Sequence, residues 1–225
     1  MSVQDDVREN ELIALFGLRK ADTSRGGIDA VLDHSTAGEL PFELKSTTTG
    51  SVTTVRDFGP DHIQKWTRKH WLIGVYENGV SNPRLLYTIY SSPSQMADWI
   101  ETKRLYIQTD FDLAEIAPDH LTLEDLHIIL GEKESYDYYD AKRLHKRQYS
   151  RTEYRENADL PGECFSPSAM LEILKARCAY LIRRGSTLNN PHIPASYFRD
   201  FEKITESHQD CLSRLVDEYL SSAPA

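Results

Sequence analysis

The sequence predicts an α/β fold: a mixed central sheet formed in the order αβββαβ, followed by a mainly helical C-terminal region. Three observations predict it. Two short apolar segments, Gly27–Asp33 and Leu40–Ser46, flank the polar turn His34-Ser35-Thr36-Ala37-Gly38-Glu39, which reads as a hairpin covering about 27–48. Trp71-Leu72-Ile73-Gly74-Val75-Tyr76 is a continuous apolar run closed by Glu77-Asn78-Gly79, as in a strand buried on both faces. The last third carries helix start signals and wide apolar stripes at helical spacing.

Residues 3 to about 20 read as an amphipathic helix with Val7, Leu12, Ile13, Leu15 and Phe16 on its apolar stripe and acidic residues in its first turn. Gly26-Gly27 permits a sharp turn into the first strand. After the hairpin, Ser51–Arg56 is rich in β-branched residues and reads as a third strand. Pro60 opens a helix over about 60–70. Beyond the buried run, Leu85–Tyr90 is a further strand, and Ser91-Ser92-Pro93-Ser94 starts a helix carrying Met96, Trp99, Ile100 and Leu105. Pro118 breaks the chain, and Leu121–Leu130 is a short helix with Thr122 as its cap and Gly131 as its end. Ser166-Pro167 starts a helix expected to end at Gly185, and a final helix is expected over about 195–220. The division expected is a core at 1–117 and a helical part at 118–225, together one compact domain.

Composition narrows the class. The chain has 225 residues, 40% of them hydrophobic and 27% charged, which is ordinary for a globular protein. No apolar run is long enough to span a membrane, and the start has no pattern of a secretory signal. Cys164, Cys178 and Cys211 are odd in number and far apart, so neither a disulfide framework nor a zinc site is expected. A reducing, cytoplasmic setting follows as the expectation. No G-x-x-x-x-G-K-[ST] pattern occurs, so no nucleotide cofactor is expected.

The chemistry concentrates on the hairpin. Side chains alternate along a strand, so Glu43 and Lys45 share one face and Leu44 points to the other. The hairpin brings Asp29 towards Glu43. Two carboxylates beside one lysine suit a hard divalent cation next to a group that orients a water; the same residues would also serve as a surface cross-strand ion pair. Glu9 and Glu11, on the first helix, are either solvated or a third acidic group. His62, Lys65 and Lys69 fall at i, i+3 and i+7 and are either a solvated flank or a phosphate-facing stripe, with Arg56 close by in sequence. Net charge is −9, against coating nucleic acid through overall charge, yet residues 142–155 hold six Lys or Arg and one acid. Lys142, Arg143, Lys146, Arg147, Arg151 and Arg155, interleaved with tyrosines, are a candidate nucleic-acid surface or else a solvated helix face.

The element order together with Gly27-Ile28-Asp29 and Phe42-Glu43-Leu44-Lys45-Ser46 resembles the PD-(D/E)xK nuclease superfamily, over about a third of the chain. Ile28 stands where that motif's proline would be. The resemblance implies an Mg²⁺-dependent phosphodiesterase in which Asp29 and Glu43 hold the ion, the Leu44 carbonyl joins them, and Lys45 serves the attacking water, leaving 5′-phosphate and 3′-hydroxyl ends. It also makes Glu11, Ser46 and Gln64 further candidates at the site. Overall the chain is most similar to Type II restriction endonucleases, which implies double-stranded DNA as substrate and a two-fold homodimer. The other expectations to weigh are a structure-selective nuclease, such as a Holliday-junction resolvase or repair endonuclease, and a catalytically silent DNA-binding domain on the same fold.

Overall fold

The computed structural model describes residues 3–21, 27–55, 58–188 and 190–222, with the side chains of 3–5 left out. The chain divides into two compact units: Met1–Arg104 with Asn189–Ala225, and Leu105–Leu188. The final segment thus belongs with the first unit, whereas the sequence grouped 118–225 together.

The first unit is a mixed six-stranded sheet covered by helices. Helix α1 spans Val3–Phe16, β1 Arg19–Lys20, β2 Ala30–His34, β3 Gly38–Thr47, β4 Val52–Thr53, α2 Pro60–Trp66, β5 His70–Tyr76 and β6 Leu85–Ser91. Helix α3 starts at Pro93 and ends at Ile116; β7 is His192–Ile193, β8 Lys203–Ile204 and α8 His208–Ser222. The sheet order is β1-β2-β3-β5-β6-β8, with β3 and β5 parallel and the other neighbours antiparallel. The hairpin β2–β3 pairs Ala30 with Phe42 and Asp33 with Glu39. All of β5 is buried, as its unbroken apolar run requires at the middle of a sheet.

The alternation of β3 decides which residues face which layer. Phe42 and Leu44 join Leu12, Phe16, Leu72, Tyr90, Leu212 and Val216 in the core beneath α1 and α8. A second, aromatic layer packs Trp66 against Phe58, Trp71 and Trp99 at ring distances of 5.2, 5.5 and 5.4 Å. Burial of such large rings, worth roughly 1.5–3 kcal/mol for each large apolar side chain, anchors α2 and the start of α3 to the sheet.

Four expectations need correction. The third antiparallel strand is β1, ahead of the hairpin, and not the segment after it. The Thr47 hydroxyl accepts the N–H groups of Thr49 and Gly50 and donates to the Ser51 carbonyl, and Gly50 adopts φ 80°, so the chain turns away. Only Val52–Thr53 is extended, and it pairs with β7 in a separate two-stranded sheet. Helix α1 ends at Phe16 because Gly17 takes φ 63°. Helix α2 ends at Trp66, short of residue 70. The final helix starts at His208 rather than near 195, because Phe198 and Ile204 are buried against the sheet and Ile204 pairs with Thr88 at its edge.

The second unit is helical. The remainder of α3 leads to a 3-10 turn at Ala117–His120, then α4 Leu123–Leu130, α5 Tyr138–Leu144, α6 Arg151–Asn157 and α7 Pro167–Ser186. Thr122 and Ser166 cap α4 and α7 as expected, and Gly131 ends α4. Helix α7 runs on through Gly185 to a cap at Thr187. Its core gathers Leu126, Tyr136, Leu144, Tyr154, Phe165, Met170 and Ile173. Among the described residues no helix is long and apolar enough to cross a membrane.

Candidate active site

The pleat of β3 puts Glu43 and Lys45 on the face opposite Phe42 and Leu44. Asp29 lies just before β2, yet the ladder already holds it: its N–H donates to the Phe42 carbonyl, and its own carbonyl accepts from Ala21. That register sets Asp29 beside Glu43. The Asp29 Oδ2 accepts the Leu44 N–H at 2.8 Å, which fixes the carboxylate's orientation. Lys45 Nζ sits 2.6 Å from Glu43 Oε1 and 3.8 Å from Asp29 Oδ2. The three residues singled out on the hairpin are therefore together on one sheet face.

Lys69 is a fourth member of the group. Lys69 is buried, and its ammonium donates to Glu43 Oε2 and to the Gly27 carbonyl. It does not stand on a stripe with His62 and Lys65, because α2 ends three residues earlier. The signal available was its position at the head of the buried run 71–76, where the parallel register sets Glu43 opposite Trp71. Glu43 thus gives one carboxylate oxygen to each lysine.

The electrostatics follow from burial and these contacts. Burial, then the neighbouring Glu43, push Asp29 up to about 6 in spite of Lys45, the Leu44 N–H and Lys69. Burial alone would raise Glu43, but Lys45 and Lys69 outweigh it and hold the carboxyl below its usual value. Burial would likewise lower Lys45; Glu43 and Asp29, with a smaller part from Glu9, reverse that and raise it. In the protein alone the two carboxylates thus decide the direction for Lys45.

A cavity of about 540 Å³ opens beside these groups, lined by Asp29, Leu44, Lys45, Ser46 and the hydroxyl-bearing residues of the turn at 47–54, with Arg8, Glu9 and Leu12 of α1; Glu43 lies behind this lining. Ser46 therefore lines the cavity, from the Leu44 side of β3. Glu11 does not: its carboxylate accepts the Tyr76 hydroxyl at 2.8 Å, in a different cavity. Glu9 takes the place proposed for it, being at i, i+3 and i+7 with Leu12 and Phe16, the buried positions of α1. That spacing was the sequence signal. Gln64 is exposed on α2 and outside this cavity. The Leu44 side chain is buried in the core, and its peptide is tied to Asp29.

The remaining candidates divide between the two units. His62 Nδ1 accepts the Gly59 N–H at 3.4 Å in the cap of α2, and Lys65 is exposed. Arg56 lies outside the described residues. In the second unit Arg151 and Arg155 both pair with Glu163, at 2.5 and 2.6 Å, and Arg143 contacts Asp140 at 3.4 Å. Lys142 lies over the Tyr138 ring, while Lys146 and Arg147 are exposed.

Among the described residues no cluster of three or more His, Cys, Asp or Glu is poised to hold a metal ion. The donors present are carboxylates and backbone carbonyls, without imidazole or thiolate. That set fits Mg²⁺, which takes oxygen ligands, keeps several waters and needs only one or two carboxylates, and does not fit structural zinc. No protein-family model matches the chain, and no curated protein matches its sequence.

Proposed function

We propose that this chain is an Mg²⁺-dependent endodeoxyribonuclease that cuts both strands of double-stranded DNA, leaving 5′-phosphate and 3′-hydroxyl ends. The observation that carries the proposal is the position of Lys45 Nζ within reach of both Glu43 and Asp29, at one end of an open polar cavity.

Asp29 and Glu43 would hold the ion, joined by the carbonyl of Leu44, the residue between Glu43 and Lys45 in sequence. Mg²⁺ supplies neutralisation of the charge that builds on the scissile phosphate. Lys45 donates hydrogen bonds to the attacking water and keeps it in line. Lys69 holds the second oxygen of Glu43, so that the carboxylate keeps one orientation while its partner atom changes. Asp29 and Glu43 balance Lys45 and Lys69 in formal charge, so a divalent ion makes the site positive, which favours a phosphodiester. Sequence-specific cutting as a homodimer, in the manner of a Type II restriction enzyme, extends the proposal, with the basic segment 142–155 contacting the phosphate backbone.

One observation favours a second reading. Both Glu43 oxygens already have lysine partners, as they would in a silent DNA-binding domain stabilised by the same residues. Digestion of plasmid, linear and branched DNA with Mg²⁺ or EDTA separates these. Discrete fragments in Mg²⁺ alone support a site-specific enzyme, and cutting confined to branched DNA points to a structure-selective nuclease. DNA binding without cutting selects the silent domain.

A further inference from the structure

The second unit contains a cavity that the proposed chemistry does not use. It measures about 520 Å³, inside the range of roughly 300–1,000 Å³ typical of small-molecule sites. One wall is the connection between α5 and α6, and the other is the C-terminal half of α7. His145 and Tyr149 form the first wall as an aromatic pair with ring centres 4.0 Å apart. Tyr180 stands on α7, with the Arg177 guanidinium 5.3 Å from its ring centre, and Arg183 and Arg184 line the same cavity one turn on. Two alanines, Ala176 and Ala179, leave room between the walls.

The connection is bent in an uncommon way. Lys146 and Arg147 are successive non-glycine residues in the left-handed region, at φ 56° and 61°. Such conformations cost energy and cluster at binding and switch regions. Here they follow directly on His145, whose ring is buried in the wall with its Nδ1 unpartnered. Burial, with a smaller part from Arg177, also holds the imidazole below its ordinary pKa. Among the described residues of the lining, Glu153 is the one carboxylate, and it is already committed: it accepts the Ser150 N–H at 2.6 Å at the start of α6.

Arg184 also donates to the Thr187 hydroxyl at 3.4 Å, and flat aromatic surfaces beside two arginines match one kind of ligand. A nucleobase stacks on tyrosine or imidazole irrespective of its identity, and a phosphate accepts bidentate hydrogen bonds from arginine. We infer that this cavity binds a single nucleotide, with its base against Tyr149 and Tyr180 and its phosphate at Arg183 and Arg184. The ligand is either a free mononucleotide or one unstacked nucleotide of a DNA strand; the chemistry of recognition is the same. The inference stands on the second unit and does not depend on Asp29, Glu43 or Lys45.

The test uses the full chain in EDTA, so that no cleavage occurs. Deoxyadenosine 5′-monophosphate is titrated calorimetrically, and a short labelled single-stranded deoxyoligonucleotide by anisotropy, against wild type, Tyr180→Ala and Arg183→Ala. Arg183 is exposed, so its truncation leaves folding intact. Mononucleotide binding weakened about tenfold or more in both variants supports a free-nucleotide site. Binding of the oligonucleotide alone, with the same loss, supports a strand-derived nucleotide. Absence of binding by both probes, or binding unchanged in both variants, overturns the inference. Mg²⁺-dependent cleavage, assayed separately on wild type, reports on the proposed function whatever these titrations show.

Discussion

Lys69 and Glu43 form a buried ion pair on the same sheet face as Lys45, although 26 residues separate them in sequence. The pair ties the head of β5 to the middle of β3 across the parallel register, and it leaves the other Glu43 oxygen to Lys45. Removing one partner of a buried pair costs more than the pair contributes, because the remaining charge is stranded.

Lys69→Met is therefore expected to lower unfolding stability by about 3 kcal/mol, somewhat less than a fully stranded charge because Lys45 still faces Glu43. Glu43→Gln combined with Lys69→Met is expected to recover part of that loss, since no buried charge is left unpaired. Urea unfolding of the single and double variants checks both. Equal destabilisation by the single and double variants would mean that the ion pair is not what Lys69 contributes.

The acid sensitivity of the fold is expected to depend on His70. Its ring is buried between Phe42 and Tyr90, with Nδ1 2.7 Å from the Tyr90 hydroxyl. Burial, with a smaller part from His34, pushes the imidazole down to about 4. Between the unfolded value of about 6.5 and that figure, the unfolded chain binds a proton that the folded chain does not. Stability from this group is complete above about pH 6.5, falls by up to about 3 kcal/mol as the pH drops towards 4, and changes no further below that. Asp29, raised to about 6, acts in the opposite direction. The difference between wild type and His70→Gln, measured by urea unfolding at pH 7 and pH 4.5, isolates the histidine and is expected to shrink or reverse at the lower pH.

Gly74 is expected to resist substitution in the middle of β5. A Cβ there would lie 2.9 Å from the Tyr76 ring and 3.2 Å from Leu12 Cδ2. Both neighbours are buried, so the ring and helix α1 would have to shift. Gly74→Ala is expected to cost about 1–3 kcal/mol, in contrast to the small gain that alanine gives where space is free. Thermal unfolding checks it, with Gly185→Ala, where no atom lies within 4 Å, as the comparison.

The turn after β3 is expected to depend on the Thr47 hydroxyl, which satisfies two N–H groups and one carbonyl. Thr47→Val keeps the shape and removes those bonds, at an expected cost of about 1–3 kcal/mol. Faster hydrogen exchange at Thr49 and Gly50 is the specific sign, since both amides lose their acceptor.

The hairpin, the buried strand and the meeting of Asp29, Glu43 and Lys45 were legible because each rests on local alternation or on a short turn. The rest depends on distant partners. Val52–Thr53 is extended only because β7, some 140 residues on, pairs with it, and no period of two residues marks such a strand. The end of α2 follows from how Trp66 and Trp71 pack, and on that end depended whether Lys69 faced solvent or Glu43. Glu9 could have been preferred to Glu11 from its spacing to Leu12 and Phe16. The residues at 195–206 have the apolar spacing of a helix, but Tyr197 bonds the Gln95 carbonyl and Ile204 joins the sheet edge.

Cleavage of supercoiled plasmid by wild type and Lys45→Ala, with DNA binding measured in EDTA alongside, tests the central claim most directly. The expected result is Mg²⁺-dependent cutting by wild type that falls at least about 100-fold in Lys45→Ala, while binding is little changed. Cutting by Lys45→Ala at the wild-type rate, or no Mg²⁺-dependent cutting of any DNA by wild type, would contradict it.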